Sequence, residues 1–220
     1  RKFDIRQWVL VTDWNPLTVW FYEDCYVRFS CQAYDSTDLN CFIHLTNNSI
    51  SKHKKVDFES EEQKFFGKNM WSSDRFAEWL QETTGQDVYG EKIKPRIRDI
   101  VLWTMSSGQD SIENRKNSME LYGLDLMVDE DFNTYLIEVN SSPSFEHSTP
   151  ITSKLVQEVS EDVIKVTVDN LNGRRKVLGD TGKFTCLVRR KNAIPKPVFY
   201  MNFNLPVVGK KMVKQDVLIF

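Results

Sequence analysis

The sequence predicts an α+β domain in which helices pack on an antiparallel sheet. Three observations predict it. Long apolar runs near the N-terminus alternate with turn-forming residues, a second pair of apolar runs flanks Asp129-Glu130-Asp131-Phe132-Asn133, and three later segments repeat apolar residues at helical spacing.

The first run, FDIRQWVLVT, is followed by a turn at Asp13-Trp14-Asn15-Pro16 and then by LTVWFY, so Lys2 to Phe21 reads as two strands. A third strand, Cys25 to Phe29, is expected after a turn at Glu23-Asp24, and it presents Arg28. Asp4 and Arg6 share a face of the first strand, about 7 Å apart at a rise of about 3.3 Å per residue. A single arginine there reads as an ordinary exposed cation. Two of them on central apolar strands, where burial without an anion is costly, read as a clamp for phosphate or carboxylate.

In CFIHLTNNSISKHKK, His44 stands beside Phe42, Ile43 and Leu45 and reads as a packed, hydrogen-bonded residue rather than a ligand. Thr46-Asn47-Asn48-Ser49 favours a turn whose short polar side chains also suit a phosphate or ribose. Lys52, Lys54 and Lys55 form a short basic run, ordinarily a solvated face. Val56 to Lys68 reads as a polar loop. Ser72 or Ser73 then caps the helix SDRFAEWLQETT, with Phe76, Trp79 and Leu80 inward. After turns at Gly85 and Gly90, Pro95 opens RIRDIVLWTMSS, whose buried face is Ile97, Ile100, Val101 and Met105. Arg96 and Arg98 lie off that face. With Lys92 and Lys94 they make either a solvated helix start or a local positive surface suited to an acidic peptide.

The linker Gln109 to Ser118 leads into a hairpin of Leu121 to Val128 and Thr134 to Val139. Antiparallel pairing centred near Asp131 and Phe132 makes facing residue numbers sum to about 263, which sets Asp125 opposite Glu138. Facing carboxylates repel unless a cation lies between them. Asn140 adds a neutral oxygen two residues along, and an all-oxygen set of Asp125, Glu138 and Asn140 suits a hard ion such as Mg²⁺. The plainer reading is the solvent face of an amphipathic hairpin. The abrupt strand end at Asn140-Ser141-Ser142-Pro143-Ser144 favours the metal. Phe145 to Pro150 is irregular, and His147 reads as a surface-loop residue. Thr152 to Val168 is an amphipathic helix with Leu155, Val156, Val159 and Val163 inward. Beyond Asn170 two strand-like runs, FTCLVRR and PVFYMNFNLPVV, read as a peripheral extension.

With 220 residues, 40% hydrophobic and 27% charged, the chain suits a globular domain. A net charge of −2 argues against nucleic acid as a partner, and no apolar run approaches the roughly 20 residues of a membrane span. Arg1-Lys2-Phe3-Asp4 lacks the pattern of a signal peptide. Cys25, Cys31, Cys41 and Cys186 form neither a CxxC pair nor a Cys/His set, so reduced thiols in a cytosolic protein are expected. A monomer is also expected.

GLDLMVDEDFNTYLIEVNSSPS resembles the magnesium-binding segment of the tubulin tyrosine ligase-like enzymes, a branch of the ATP-grasp ligases. KFDIR, the VRFS strand and HLTN resemble further motifs of that family, and NMWSSDRFAEWL is most similar to its glycylating branch. The resemblance covers about Arg1 to Asp169. It implies the central and C-terminal portions of an ATP-grasp fold, with residues 1–169 as the later part of the catalytic domain, 170–220 as an extension, and the adenine pocket mostly upstream. It implies ATP and Mg²⁺ as cofactors, and Arg6 and Arg28 as catalytic groups. Lys2, Asp4, Thr46, Asn47, Asp125 and Glu138 would face the nucleotide. Asp125, Glu138 and Asn140 would hold the metal, and Arg28, Lys52, Arg96 and Arg98 would meet the substrate. The implied reaction joins glycine through an isopeptide bond to glutamate side chains in acidic tubulin C-terminal tails, by way of an acyl-phosphate. Microtubules would be the partner and the cytoplasmic cytoskeleton, in a cilium or flagellum axoneme, the location. A glutamate ligase of the same family and a non-catalytic microtubule-binding module are the alternatives.

Overall fold

The structure, a computed structural model, describes residues 1–51, 53, 61–66, 69–169 and 179–195. Two long strands begin the chain, β1 (Phe3–Trp14) and β2 (Leu17–Phe29). Short helices α1 (Cys41–His44), α2 (Asn48–Ser51) and α3 (Glu61–Phe66) follow, then β3 (Met70–Ser72) and α4 (Ser73–Thr84). A π-helical turn (Tyr89–Ile93) leads into α5 (Lys94–Gly108). The hairpin of β4 (Glu120–Val128) and β5 (Thr134–Asn140) comes next, followed by α6 (Pro150–Ile164), its π-helical continuation (Lys165–Asp169) and β6 (Phe184–Arg189). The strands form one antiparallel sheet of order β3-β2-β1-β4-β5, with β6 on the same edge of β2 as β3.

β1 and β2 are almost continuously apolar because both faces of the sheet are covered. On one face α4 and α5 lay Phe76, Leu80, Ile97 and Val101 against Ile5, Val9, Val27 and Leu124. On the other, α6 lays Leu155, Val156, Val159 and Val163 against Trp8, Leu10, Trp20 and Tyr22. Alternate residues of a strand share a face. Asp4 and Arg6 therefore belong to the same side as Trp8 and Leu10, the α6 side. The inward faces of all three helices follow the apolar spacing in the sequence. Ser72 caps α4 by accepting from the Arg75 amide at 3.3 Å. A capping box between Thr149 and Thr152 starts α6 two residues earlier than the apolar pattern alone implies.

Three local expectations are corrected. Gly90 is not a turn, because it lies inside the π-helical segment Tyr89–Ile93 that runs directly into α5. Glu23-Asp24 is not a turn, because β2 runs through it as one strand. The β1 register jumps there, with Gln7 opposite Cys25 and Val9 opposite Phe21, so Tyr22 to Asp24 bulge against Trp8 alone. The bulge aims its two carboxylates at remote cations. Glu23 accepts from Lys94 at 2.7 Å and from Arg98, and Asp24 accepts from Lys183 at 2.6 Å. Those ion pairs, invisible to local pattern, keep a turn-forming dipeptide in a strand. Within the expected loop Val56 to Lys68, residues Glu61–Phe66 instead form α3, and the remainder lies outside the described residues. His44 is half-buried and hydrogen-bonded to the Asp38 carbonyl at 2.7 Å. In the tail, FTCLVRR supplies β6, whose Phe184 is buried, while the second run lies outside the described residues.

Burial pushes the Glu23 carboxyl up, but Lys94, Thr185 and Arg98 outweigh it and hold the group below the ordinary glutamate value of 4.5. A depressed folded value contributes stability that is fully present above the unfolded value and is lost as pH falls through the folded one. Glu23→Gln is therefore expected to flatten the decline of stability below about pH 4.5, measured by urea unfolding across pH 3 to 6.

Candidate functional site

Strand register builds the site. Asp4 on β1 stands opposite Arg28 on β2, and Arg6 on β1 stands opposite Asp125 on β4. Arg6 donates from Nε to Asp125 Oδ1 at 2.5 Å and from Nη2 to Oδ2 at 3.1 Å. Arg28 donates from Nε to Asp4 Oδ1 at 3.0 Å, and its Nη2 bridges Asp4 Oδ2 and, at 2.9 Å, Asp125 Oδ2. All four residues are 5–8% exposed. Two cations and two anions cancel, which meets the condition for holding charges in the interior. Burial pushes the Asp125 carboxyl up, but the Arg6 and Arg28 guanidiniums overcome it and hold it below the usual carboxylate range. Burial lowers the Arg28 guanidinium, and Asp4 and Asp125 more than reverse this. The anions that the two arginines require are thus supplied by the chain itself. Each arginine commits Nε and Nη2 to these carboxylates, its Nη1 makes no hydrogen bond among the described residues, and both residues line one cavity.

That cavity has a volume of about 310 Å³. On its β5 side Glu138 faces Asp125 and Asn140 faces Gly123, the register expected from the hairpin. A register shift between these pairs and Leu126 opposite Leu136 leaves Ile137 as an extra residue, a bulge that keeps Glu138 in line with Asp125. Glu138 is exposed, and its Oε1 accepts from Asn140 Nδ2 at 3.0 Å, which leaves the Asn140 oxygen available. With the buried quartet neutral, Glu138 and Glu146 are the net charges on the wall, so the cavity is locally negative. Among the described residues no group of three His, Cys, Asp or Glu side chains is placed to hold a metal ion. An ion at this wall would rest on Asp125, Glu138 and the Asn140 amide oxygen, with further oxygens brought by substrate. That donor set fits a hard divalent cation of the Mg²⁺ kind.

Gly123 gives the arginine its room. A Cβ at this position would meet Pro143 Cβ at 2.9 Å and Arg6 Cδ at 3.1 Å. Gly123→Ala is expected to destabilise the chain by about 1–3 kcal/mol through overpacking and to loosen the hold of Arg6 on Asp125, read as a lower urea midpoint.

The other expected site residues divide. Asn47 lines the cavity beside Asn48 and Ser49, whereas Thr46 and Lys2 are half-buried away from its wall, and Asp4 acts from beneath Arg28. Lys52 lies outside the described residues. Arg96 and Arg98 ride on α5, which packs on the opposite face of the sheet. Arg98 pairs with Glu23 over the Phe21 ring, and Arg96 stacks on Trp103 at 4.6 Å. Sequence reasoning missed Tyr26, Met70 and Thr152 on the cavity wall. Tyr26 was within reach, since it alternates with Arg28 on one strand. Burial raises its hydroxyl pKa, against the lowering by Arg6 and Arg28. Ser142 and Ser144 from the turn-forming run after β5, and Ser148 from the irregular stretch that follows, also line the cavity.

Comparison with known proteins gives consistent matches. Residues 1–175 match the profile of the tubulin-tyrosine ligase family. The chain is 46% identical to "Tubulin glycylase 3C" of Tetrahymena thermophila over 100% of its own length and 20% of that protein. It is 54% identical to "Tubulin glycylase 3D" of the same organism over 77% of its length and 16% of that protein. To "Protein monoglycylase TTLL8" of Homo sapiens it is 42% identical over 99% of its length and 25% of that protein. The chain thus spans a quarter or less of these relatives. A profile match through residue 175, which takes in the whole buried quartet and both strands of the hairpin, shows that this chain belongs to the tubulin-tyrosine ligase family.

Proposed function

We propose that this chain, the central and C-terminal portions of an ATP-grasp fold, carries the metal- and phosphate-handling part of an ATP- and Mg²⁺-dependent ligase that joins glycine to glutamate side chains in tubulin tails. One observation carries the reading. Two guanidiniums, fixed by buried carboxylates with their Nη1 groups left over, face an oxygen-donor wall of Glu138 and Asn140 across one cavity. The names of the relatives, glycylases and monoglycylases, support the choice of glycine and of tubulin.

In this reading a glutamate carboxylate of the tail attacks the γ-phosphorus of ATP. The bond to the bridging oxygen breaks, ADP departs and an acyl-phosphate forms. The glycine amine then attacks the acyl carbon, phosphate leaves, and the amine sheds its proton as the isopeptide bond closes. Bound Mg²⁺ supplies charge neutralisation for the phosphates. Asp125, Glu138 and Asn140 hold it. Arg6 and Arg28 steady the transferring phosphoryl group through Nη1, and because their other donors are fixed by Asp4 and Asp125 they need little reorganisation. Asn47 serves the nucleotide side, with Asp4 fixing Arg28 from beneath, and Arg28 serves the substrate side; Arg96 and Arg98, behind the sheet, would meet only a part of the substrate remote from the cavity. Residues 1–169 form the catalytic portion and 170–220 an extension that borders the sheet through β6. Among the described residues no helix is long and apolar enough to cross a membrane. The proposed setting is a monomer at the microtubules of a cilium or flagellum.

Mass spectrometry of tubulin-tail peptides tests the reading, after incubation with the full-length protein, ATP, Mg²⁺ and an equimolar mixture of glycine, glutamate and tyrosine. A mass gain of glycine is expected. A gain of glutamate would overturn the choice of amino acid, and no gain with intact tubulin binding would overturn the ligase.

A further inference from the structure

Beside the cavity lies a second groove of about 370 Å³, open to solvent. Phe65, Pro150 and Ile151 give it apolar walls over the buried Trp71, Arg75 stands on its rim, and Lys64 there is paired with Glu61 at 3.2 Å. Met70 is shared by both spaces. It faces Arg28 in the β2–β3 register, and Thr149, on the groove wall, donates to its sulfur at 3.3 Å. The groove therefore starts one side chain away from the proposed phosphoryl-transfer arginine.

Arg75 is held ready rather than occupied. Its guanidinium lies over the Trp71 ring at 4.7 Å and over Phe65 at 5.8 Å, and Nη2 donates to the Phe65 carbonyl at 3.3 Å. Among the described residues no carboxylate stands within ion-pair distance of it. Aromatic stacking fixes the plane of a guanidinium while leaving its edge free for a carboxylate.

Resting on the proposed ligase reading, we infer that this groove is the subsite for an acidic residue of the substrate peptide next to the glutamate being modified. The methylenes of that neighbouring glutamate would lie on Phe65, which is 44% exposed, and Ile151, and its carboxylate on Arg75. The occupant is chosen by charge and shape. A cationic rim above apolar walls suits a short anionic side chain with an aliphatic stem, and the shared Met70 places it next to the reacting residue along an extended chain.

Arg75→Gln in the full-length protein tests this with a glutamate-rich tail peptide and with the same peptide whose flanking glutamates are glutamines. The expected result is a KM for the acidic peptide raised about tenfold, the loss of one charge-assisted hydrogen bond, with kcat and the KM values for ATP and glycine within about twofold. Wild type should lose the same factor on the glutamine peptide, and the variant should lose nothing further. Arg75→Lys should restore part of the affinity. Ile151→Trp, which fills the groove without touching the charge, should also raise the peptide KM. An unchanged peptide KM, or losses that simply add, would overturn the subsite. A raised KM for ATP alone would assign the groove to nucleotide and overturn it as well. If wild type ligates no glycine, the ligase reading fails. Fluorescence anisotropy of the labelled peptides with wild type and Arg75→Gln then still decides the groove, because loss of the difference between the two peptides in the variant would support it and its persistence would overturn it.

Discussion

Replacing Arg28 with methionine is expected to destabilise the fold by roughly 3–5 kcal/mol, the cost of leaving a buried charge without its partner. Asp4 would lose its only side-chain hydrogen-bond partner among the described residues, while Asp125 would keep Arg6. The effect should be non-additive. Asp4→Leu combined with Arg28→Met removes both charges, and the double variant is expected to recover much of the loss, since an apolar pair is often as stable as a buried ion pair. Urea unfolding of the four proteins in the cycle measures it, and a simple sum of the two single losses would contradict the network. Acid should expose the same coupling. Because the Asp125 carboxyl is held below its ordinary value of 3.8, its stabilisation is fully present above that value and is lost as pH falls through the lower folded one. Arg28→Met removes one of the two guanidiniums that hold it down. The acid unfolding midpoint should therefore move to higher pH.

Glu138→Gln should behave in the opposite way, leaving stability within about 0.5 kcal/mol and lowering kcat of the proposed glycine transfer by the full-length protein on the order of 10²–10³-fold. Glu138 is exposed and its one side-chain hydrogen bond among the described residues, from Asn140, survives in the amide. What changes is the charge of a proposed metal ligand. Raising Mg²⁺ should recover part of the activity if the carboxylate holds the ion. A variant that loses activity and melts early in equal measure would instead place Glu138 in the structure.

These two residues also mark how far the sequence could be read. The hairpin was legible because β4 and β5 are joined by five residues, so its pairing is local. Counting from Val128 opposite Thr134 would set Asp125 opposite Ile137, and the bulge at Ile137 brings Glu138 there instead. The buried faces of α4, α5 and α6 were legible for the same reason, since a period of 3.6 residues is a property of the local backbone. The bulge at Glu23 was not, because what holds it in the strand is Lys94 and Arg98, more than 70 residues away.

By itself, then, the sequence determined an α+β chain with helices on an antiparallel sheet, the oxygen-donor end of the hairpin, and two arginines on strands where an unpaired cation is costly. Only the tertiary structure decided what the arginines do. Arg6 and Asp125 are 119 residues apart, and their pairing depends on how β1 meets β4. The same packing put Arg96 and Arg98 behind the sheet and set Arg75 beside the cavity. The physical reason is that period and turn chemistry act over a few residues, whereas strand order and register are settled by burying every apolar face at once, and charges end up wherever that packing carries them.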